Sequence, residues 1–189
     1  TGGIDLIPTH HENEIAQSKG ACGKIPARFW MHGEYLLING GKMSKSLGNV
    51  YLLKDIEEKG YAPLVYRLFT YTSSYRMKLN FTWEGIEANS KALIKLKNGY
   101  QKHLQGTEDV TDDIIKDFEE KFHKAINDDL NMPLAMSVVW DVIKYPNKSK
   151  KMADLLKKFD TVLALKIDEL PKKQENEIPD EIIELAEKR

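Results

Sequence analysis

The residues best placed to do chemistry lie in "GGKMSKSLGN", positions 40–49. Lys42 and Lys45 bring two ammonium groups, Ser44 and Ser46 bring hydroxyls, and Gly40, Gly41 and Gly48 relax the backbone between them. A loop of this kind can hold phosphate groups, and a solvated basic turn has the same ingredients. Farther upstream, "HHENE" sets His10 and Glu14 four residues apart. On a helix they share a face, where an imidazole and a carboxylate can ligate one zinc ion or form an ordinary surface pair. In "INDDLNMP", Asn127, Asp128 and Asp129 form a cluster of the kind that can do acid–base work. Asn131 and Pro133 directly behind them suit a turn and a helix start better. Lys91, Lys95, Lys97, Lys102 and the lysines of "NKSKK" offer cations to an RNA backbone, and solvated helix faces explain them equally well.

The elements that must carry these groups follow from local pattern. Thr9 with Glu12 three residues on has the form of a capping box, predicting a helix from about His10 to Lys19 that stops at Gly20. "EYLLI" predicts a short buried strand, and Asn39-Gly40 after it is a hairpin-turn signal. The basic loop therefore leaves a turn beside a strand, a common place for functional loops. "VYLLKDIEEKG" ends in a glycine cap, and "APLVYRLFTYTSS" predicts a helix with Pro63 in its first turn. From residue 82 the apolar period is helical: Ile86, Leu93, Leu96, Tyr100 and Leu104, then Ile114, Ile115, Phe118, Phe122 and Ile126. Leu134, Val138, Val139 and Val142 follow behind Pro133, and Met152, Leu155, Leu156, Phe159 and Leu163 complete the set. Four amphipathic helices with short links predict a bundle. "PKKQENEIP", residues 171–179, is a polar linker, with a last helix expected from Asp180. The first ~50 residues thus predict α/β structure and the remainder a mainly α-helical bundle.

Bulk properties narrow the function classes. A chain of 189 residues with 41% hydrophobic and 30% charged residues is ordinary for a globular protein with a sizeable core. No apolar run approaches the length of a membrane span, and no secretory signal is expected. Cys22 is the single cysteine, which excludes an internal disulfide and fits a reducing, cytoplasmic setting. A net charge of −1 gives no global pull on nucleic acid, so any RNA contact must come from local patches. The opening Thr1-Gly2-Gly3, without a methionine, predicts a piece of a longer protein.

Taken in order, "GGIDLIPTHHENEIAQS", "WMHGE" and "GKMSKSLGN" closely resemble cysteinyl-tRNA synthetases, and Lys42, Met43, Ser44, Lys45 and Ser46 spell the class I synthetase signature. "SSYRMKLNFTWEGIEANSKAL" and "INDDLNMPLAM" resemble later segments of that family, so the resemblance covers almost the whole chain. It departs where bacterial members carry Phe-Pro before the His-His pair and this chain has Pro8-Thr9, with the spacing from Asp5 to His10 kept.

The resemblance implies residues 1–50 as the C-terminal part of a Rossmann-type class I catalytic domain and 51–81 as a stem-contact region. It implies a helical bundle over 82–170, and over 171–189 a linker opening a C-terminal tRNA-binding region. The implied reaction joins L-cysteine and ATP, used with Mg2+, into cysteinyl-adenylate, then passes cysteine to tRNA(Cys). Lys45 would stabilise charge on the ATP phosphates with help from Lys42. Gly2 and Gly3 would let the backbone approach the adenosine, Asp5 would accept from the ribose, and His32 would lie near the nucleotide. His10 and Glu14 match two ligands of the family's zinc. Its other two are cysteines upstream of this region, and Cys22 matches neither. Zinc prefers a thiolate to a hydroxyl and so separates cysteine from serine. His11 is either a further pocket residue or a packed helix residue, and Trp30 is expected in the core. A monomer is expected. The family's His-x-Gly-His segment is not in this sequence, so the 189 residues alone are expected to be inactive. Three other readings stay open: a mycothiol-pathway cysteine ligase, a non-catalytic RNA-binding or interaction module, and a metal-binding scaffold.

Overall fold

Asn39 and Gly40 take φ of 49° and 77°, the left-handed pair that a two-residue hairpin turn requires. They join strand β3 (Leu36–Ile38) to β4 (Gly41–Lys42) in antiparallel register, with Ile38 opposite Gly41. On its other edge β3 pairs in parallel with β5 (Leu79–Phe81), Leu36 facing Leu79 and Ile38 facing Phe81. A parallel pair needs a long crossover. Helices α2 (Leu53–Glu58) and α3 (Pro63–Thr70) supply it. Pro63 sits in the first turn of α3, where its missing N–H costs no hydrogen bond, and Gly60 leaves α2 at φ 83°. Ahead of this sheet lies a second one, β1 (Gly2–Gly3) paired in parallel with β2 (His32–Gly33). The computed structural model describes residues 1–169; the expected linker at 171–179 and the helix from Asp180 lie outside them.

The first helix corrects the local prediction. The expected capping box at Thr9 does not form. A π-helical turn at Ile7–His11 runs directly into α1 (Glu12–Cys22), so Thr9 lies inside the helix and not at its start. Pro8 sits in the first turn, which tolerates proline and lets the helix begin early. Gly20 stays helical, and the left-handed cap falls on Gly23 at φ 70°.

Four helices make the bundle: α4 (Trp83–Leu104), α5 (Asp112–Asn127), α6 (Met132–Lys144) and α7 (Lys150–Leu163). Thr82 caps α4 through its hydroxyl, which accepts from Gly85 N–H at 3.0 Å, and Asn131 caps α6 at Leu134 N–H at 3.2 Å. Ile86, Leu96, Phe122, Val142, Leu156 and Phe159 are almost fully buried, and Phe122 stacks on Phe159 with centroids 4.0 Å apart. Two expected core residues face outward: Leu104 is exposed at the C-terminal end of α4, and Leu134 is exposed in the first turn of α6. His103 takes the inward place at the end of α4. Lys97, open between an RNA contact and a solvated face, is also buried. Lys148 and Lys151 are structural too: Lys148 Nζ donates to the carbonyls of Ile143 (3.1 Å) and Tyr145, and Lys151 Nζ reaches Asp112 at 2.9 Å.

The acidic cluster proves structural, with one member reaching across the molecule. Asp129 and Leu130 carry φ of 53° and 54° in the α5–α6 turn. The Asp129 carboxylate accepts from Tyr75 Oη at 2.6 Å and from two nitrogens of Arg76. Tyr75 in turn accepts, through its backbone carbonyl, from Glu34 N–H at 2.8 Å, next to β2. One tyrosine therefore ties the small parallel sheet to the bundle.

Helix α4 passes close to α6 at Gly99, where an added Cβ would lie 2.6 Å from Ile143 Cγ2. Gly99→Ala is expected to lower stability by about 1–2 kcal/mol, the overpacking cost less the gain in helix propensity. A urea midpoint equal to or above the parent's would mean that Ile143 swings clear. His103 predicts a pH response. It is fully buried, with Nε2 2.9 Å from the Val142 carbonyl and Nδ1 3.5 Å from Ser149 N–H. The carbonyl can only accept, so Nε2 carries a proton, and Nδ1, accepting from Ser149 N–H, carries none, which makes the ring neutral. Burial, then the charge of Lys148, hold its pKa below the ordinary value. The unfolded chain, with a histidine pKa of about 6.5, binds the extra proton first as pH falls. Stability is therefore expected to be full above about pH 6.5 and to decline below it. Urea midpoints at about pH 7.5 and pH 5.5 should differ, and His103→Gln should flatten the difference; an unaltered slope would place the response on other groups.

Candidate active site

Two structural pieces carry the residues singled out by sequence. The first is β1–β2 and the turns after it. Gly2 is opposite His32 and Gly3 opposite Gly33, with Gly2 N–H donating to the Met31 carbonyl at 3.1 Å. A Cβ on Gly2 would come 2.5 Å from Leu6 Cδ1 and 3.1 Å from His11 Cε1, so a side chain there would have to push the leucine and the ring aside. A side chain on Gly3 would meet the Asp5 carboxylate, which folds back over it from the 3-10 turn at Ile4–Leu6. Gly3, Asp5 and His32 thus share one neighbourhood.

The π-helical turn returns His11 to β2, where its Nδ1 lies 2.7 Å from His32 Nε2. One nitrogen donates and the other accepts, so the accepting ring is neutral. Trp30 lies nearly parallel to His32 (3°, centroids 6.4 Å) and tilts against His11 at 4.7 Å. Trp30 is thus half-buried against two imidazoles and not in the core as expected. Burial, then the charge of His11, lower the pKa of His32. Of the two readings open for His11, the structure shows a ring packed against the candidate nucleotide residue.

His10 and Glu14 lie one turn apart on the same continuous helix, both exposed. Among the described residues, no group of three or more His, Cys, Asp or Glu forms a metal-holding cluster.

The second piece is the basic loop. Lys42 ends β4, Met43 packs against the core, Ser44 is extended, and Lys45–Leu47 form a 3-10 turn closed by Gly48 at φ 63°. Met43 lines a pocket of about 130 Å3 with Leu36, Ile38, Tyr51 and Phe81, which seats the loop on the β3–β5 sheet. Lys42, Lys45 and Ser46 are exposed, and the Ser44 and Ser46 hydroxyls are 2.7 Å apart. Sequence reasoning passed over Asn49, whose side chain accepts from Ser44 N–H (2.8 Å) and donates to the Lys42 carbonyl (3.0 Å). An asparagine directly after a left-handed glycine was the available signal. The loop and the histidine cluster stand on separate sheets.

The family described as tRNA synthetases class I (C) catalytic domain matches residues 1–92 of this chain, and a DALR domain model matches 121–167. The curated relatives it resembles are cysteine–tRNA ligases. That of Chlamydia felis is 39% identical over 206 residues, spanning 100% of this chain and 42% of the relative. That of Opitutus terrae is 40% identical over 195 residues (100% and 40%), and that of Aquifex aeolicus 42% over 164 (80% and 33%). The chain thus spans about two fifths or less of the length of these relatives.

Proposed function

We propose that the protein containing this chain is a cysteine–tRNA ligase, activating cysteine with ATP and Mg2+ and passing it to tRNA(Cys). The observation that carries this reading is the loop: two exposed lysines and two serines on a turn whose methionine is seated in the core. The names of the relatives and the two family matches support the substrate class. In this reading residues 1–50 end the catalytic domain, 51–81 approach the acceptor stem, and 82–170 form the bundle. Among the described residues no helix is long and apolar enough to cross a membrane, and a cytoplasmic setting goes with the family.

Adenylation moves negative charge from the α-phosphate to the leaving pyrophosphate. Lys45 sits on the 3-10 turn, the part of the loop that is not seated in the core, and meets the triphosphate when that turn closes. Lys42, at the end of β4, assists from a more fixed backbone. Gly3 and Gly2 admit the adenosine at the edge of β1, Asp5 accepts from its ribose, and His32 lines the same edge. His10 and Glu14 are the nitrogen and oxygen donor types that zinc takes, both exposed, and they would hold it together with two ligands from outside this chain. Bound zinc would supply a Lewis acid that prefers the substrate thiolate to a hydroxyl.

Two measurements test the assignments. The intact protein is expected to contain about one zinc per chain, and His10→Ala to lose it; unchanged metal content would remove His10 from the site. In cysteine-dependent ATP–pyrophosphate exchange, Lys45→Ala is expected to slow the saturated rate by about a hundred- to a thousandfold, with ATP affinity changed far less. A variant that needs more ATP but keeps its saturated rate would make Lys45 a ground-state binder.

A further inference from the structure

The neck of the basic loop is fixed by a single side chain. Asn49 Oδ1 accepts from Ser44 N–H at 2.8 Å, and its Nδ2 donates to the Lys42 carbonyl at 3.0 Å. These two backbone groups flank Met43, whose side chain packs against the core. The loop is therefore mounted at three consecutive residues: a carbonyl at 42, an apolar plug at 43 and an amide at 44. Beyond the mount, Lys45–Leu47 make one 3-10 turn, with Gly48 N–H donating to the Lys45 carbonyl at 3.1 Å. The left-handed Gly48 then returns the chain so that Asn49 lies beside the strand it left. A carboxamide is suited to this place because it donates and accepts in one plane. Aspartate keeps the acceptor and loses the donor; alanine loses both.

We propose that Asn49 is a positioning residue for adenylate formation, holding the neck of the loop so that Lys45 starts its approach to the triphosphate from a fixed base. The proposal rests on the reading of this loop as adenylate-forming. With the staple in place, motion is confined to the turn from Lys45 to Gly48, and the lysine reaches its transition-state position from few starting geometries. Without it, Ser44 N–H and the Lys42 carbonyl turn to water, the two limbs splay, and ordering them is added to the barrier. The loss therefore falls on the saturated rate and acts through Lys45.

The test uses the intact protein and cysteine-dependent ATP–pyrophosphate exchange. Asn49→Ala is expected to slow the saturated rate about tenfold or more, the scale of losing two hydrogen bonds, with zinc content and the cysteine requirement unchanged. Asn49→Asp, which keeps one of the two bonds, should fall between, and it decides the matter if the alanine variant does not fold. In a Lys45→Ala background the Asn49→Ala penalty should largely vanish, because the group it positions is gone. Full additivity of the two losses, or a parent-like rate in both Asn49 variants, overturns the proposal. Absence of exchange in the parent protein overturns the underlying ligase reading instead.

Discussion

Everything described here depends on the parallel pairing of β3 with β5, which joins residues some forty positions apart and places Ile38 beside Phe81. Phe81 is 2% exposed and stands at the centre of an aromatic cluster, with Tyr51 at 5.5 Å, Trp83 at 5.2 Å and Phe69 at 6.0 Å. The cluster gathers one residue from each surrounding segment: the exit of the basic loop, the crossover helix α3, and the start of the bundle. Burying these rings together sets the loop's strand, the crossover and the first long helix at once. The hairpin turn is locked to the same strand, since Gly40 N–H donates to Asn80 Oδ1 at 2.7 Å and Asn39 N–H to the Phe81 carbonyl at 3.0 Å.

On the proposed reading the loop closes on a polyanion, and such a loop has opposed requirements. Its cations have to stay solvated while open, and its base has to stay put while they move. The structure separates these along the chain. Lys42 and Lys45 are exposed, whereas Met43, between them, is half-buried and packs against the core beside the sheet. Met43 and the extended Ser44 are both half-buried, and the exposed lysines flank that pair.

The bundle is fastened to the sheet piece at two places by side-chain-to-backbone and ionic contacts. At one, Tyr71 Oη donates to the Leu163 carbonyl at 2.8 Å and Arg67 to the Ala164 carbonyl at 2.5 Å, satisfying the open C-terminal end of α7. At the other, Tyr75 and Arg76 grip Asp129 in a turn of two left-handed non-glycine residues. Such a turn is costly, and the ion pair with its flanking hydrogen bond helps to hold it. The segment from 67 to 76 is thus the joint between the two halves.

Local order was legible in the sequence wherever one residue type has one dominant use. Asn39-Gly40 specified the hairpin, Pro63 the start of α3, and the 3.6-residue period the four bundle helices, down to buried Met152, Leu156 and Phe159. The spacing of Lys42, Ser44, Lys45 and Ser46 identified the loop. What failed were statements that depend on which neighbours arrive. Leu104 and Leu134 fit the apolar period but lie at helix ends and are exposed, while His103 and Lys97 break it and are buried where α6 and α7 pack against α4. Trp30 looked like core, yet the neighbours that reached it are His11 and His32, from turns whose π-helical and parallel geometry no local pattern announces. Asn49 became a staple only when a left-handed glycine turned the chain back on itself. Periodicity and turn chemistry act within a few residues and so are written in the sequence; the partner of a buried polar group is set by long-range packing, and only the folded chain reveals it.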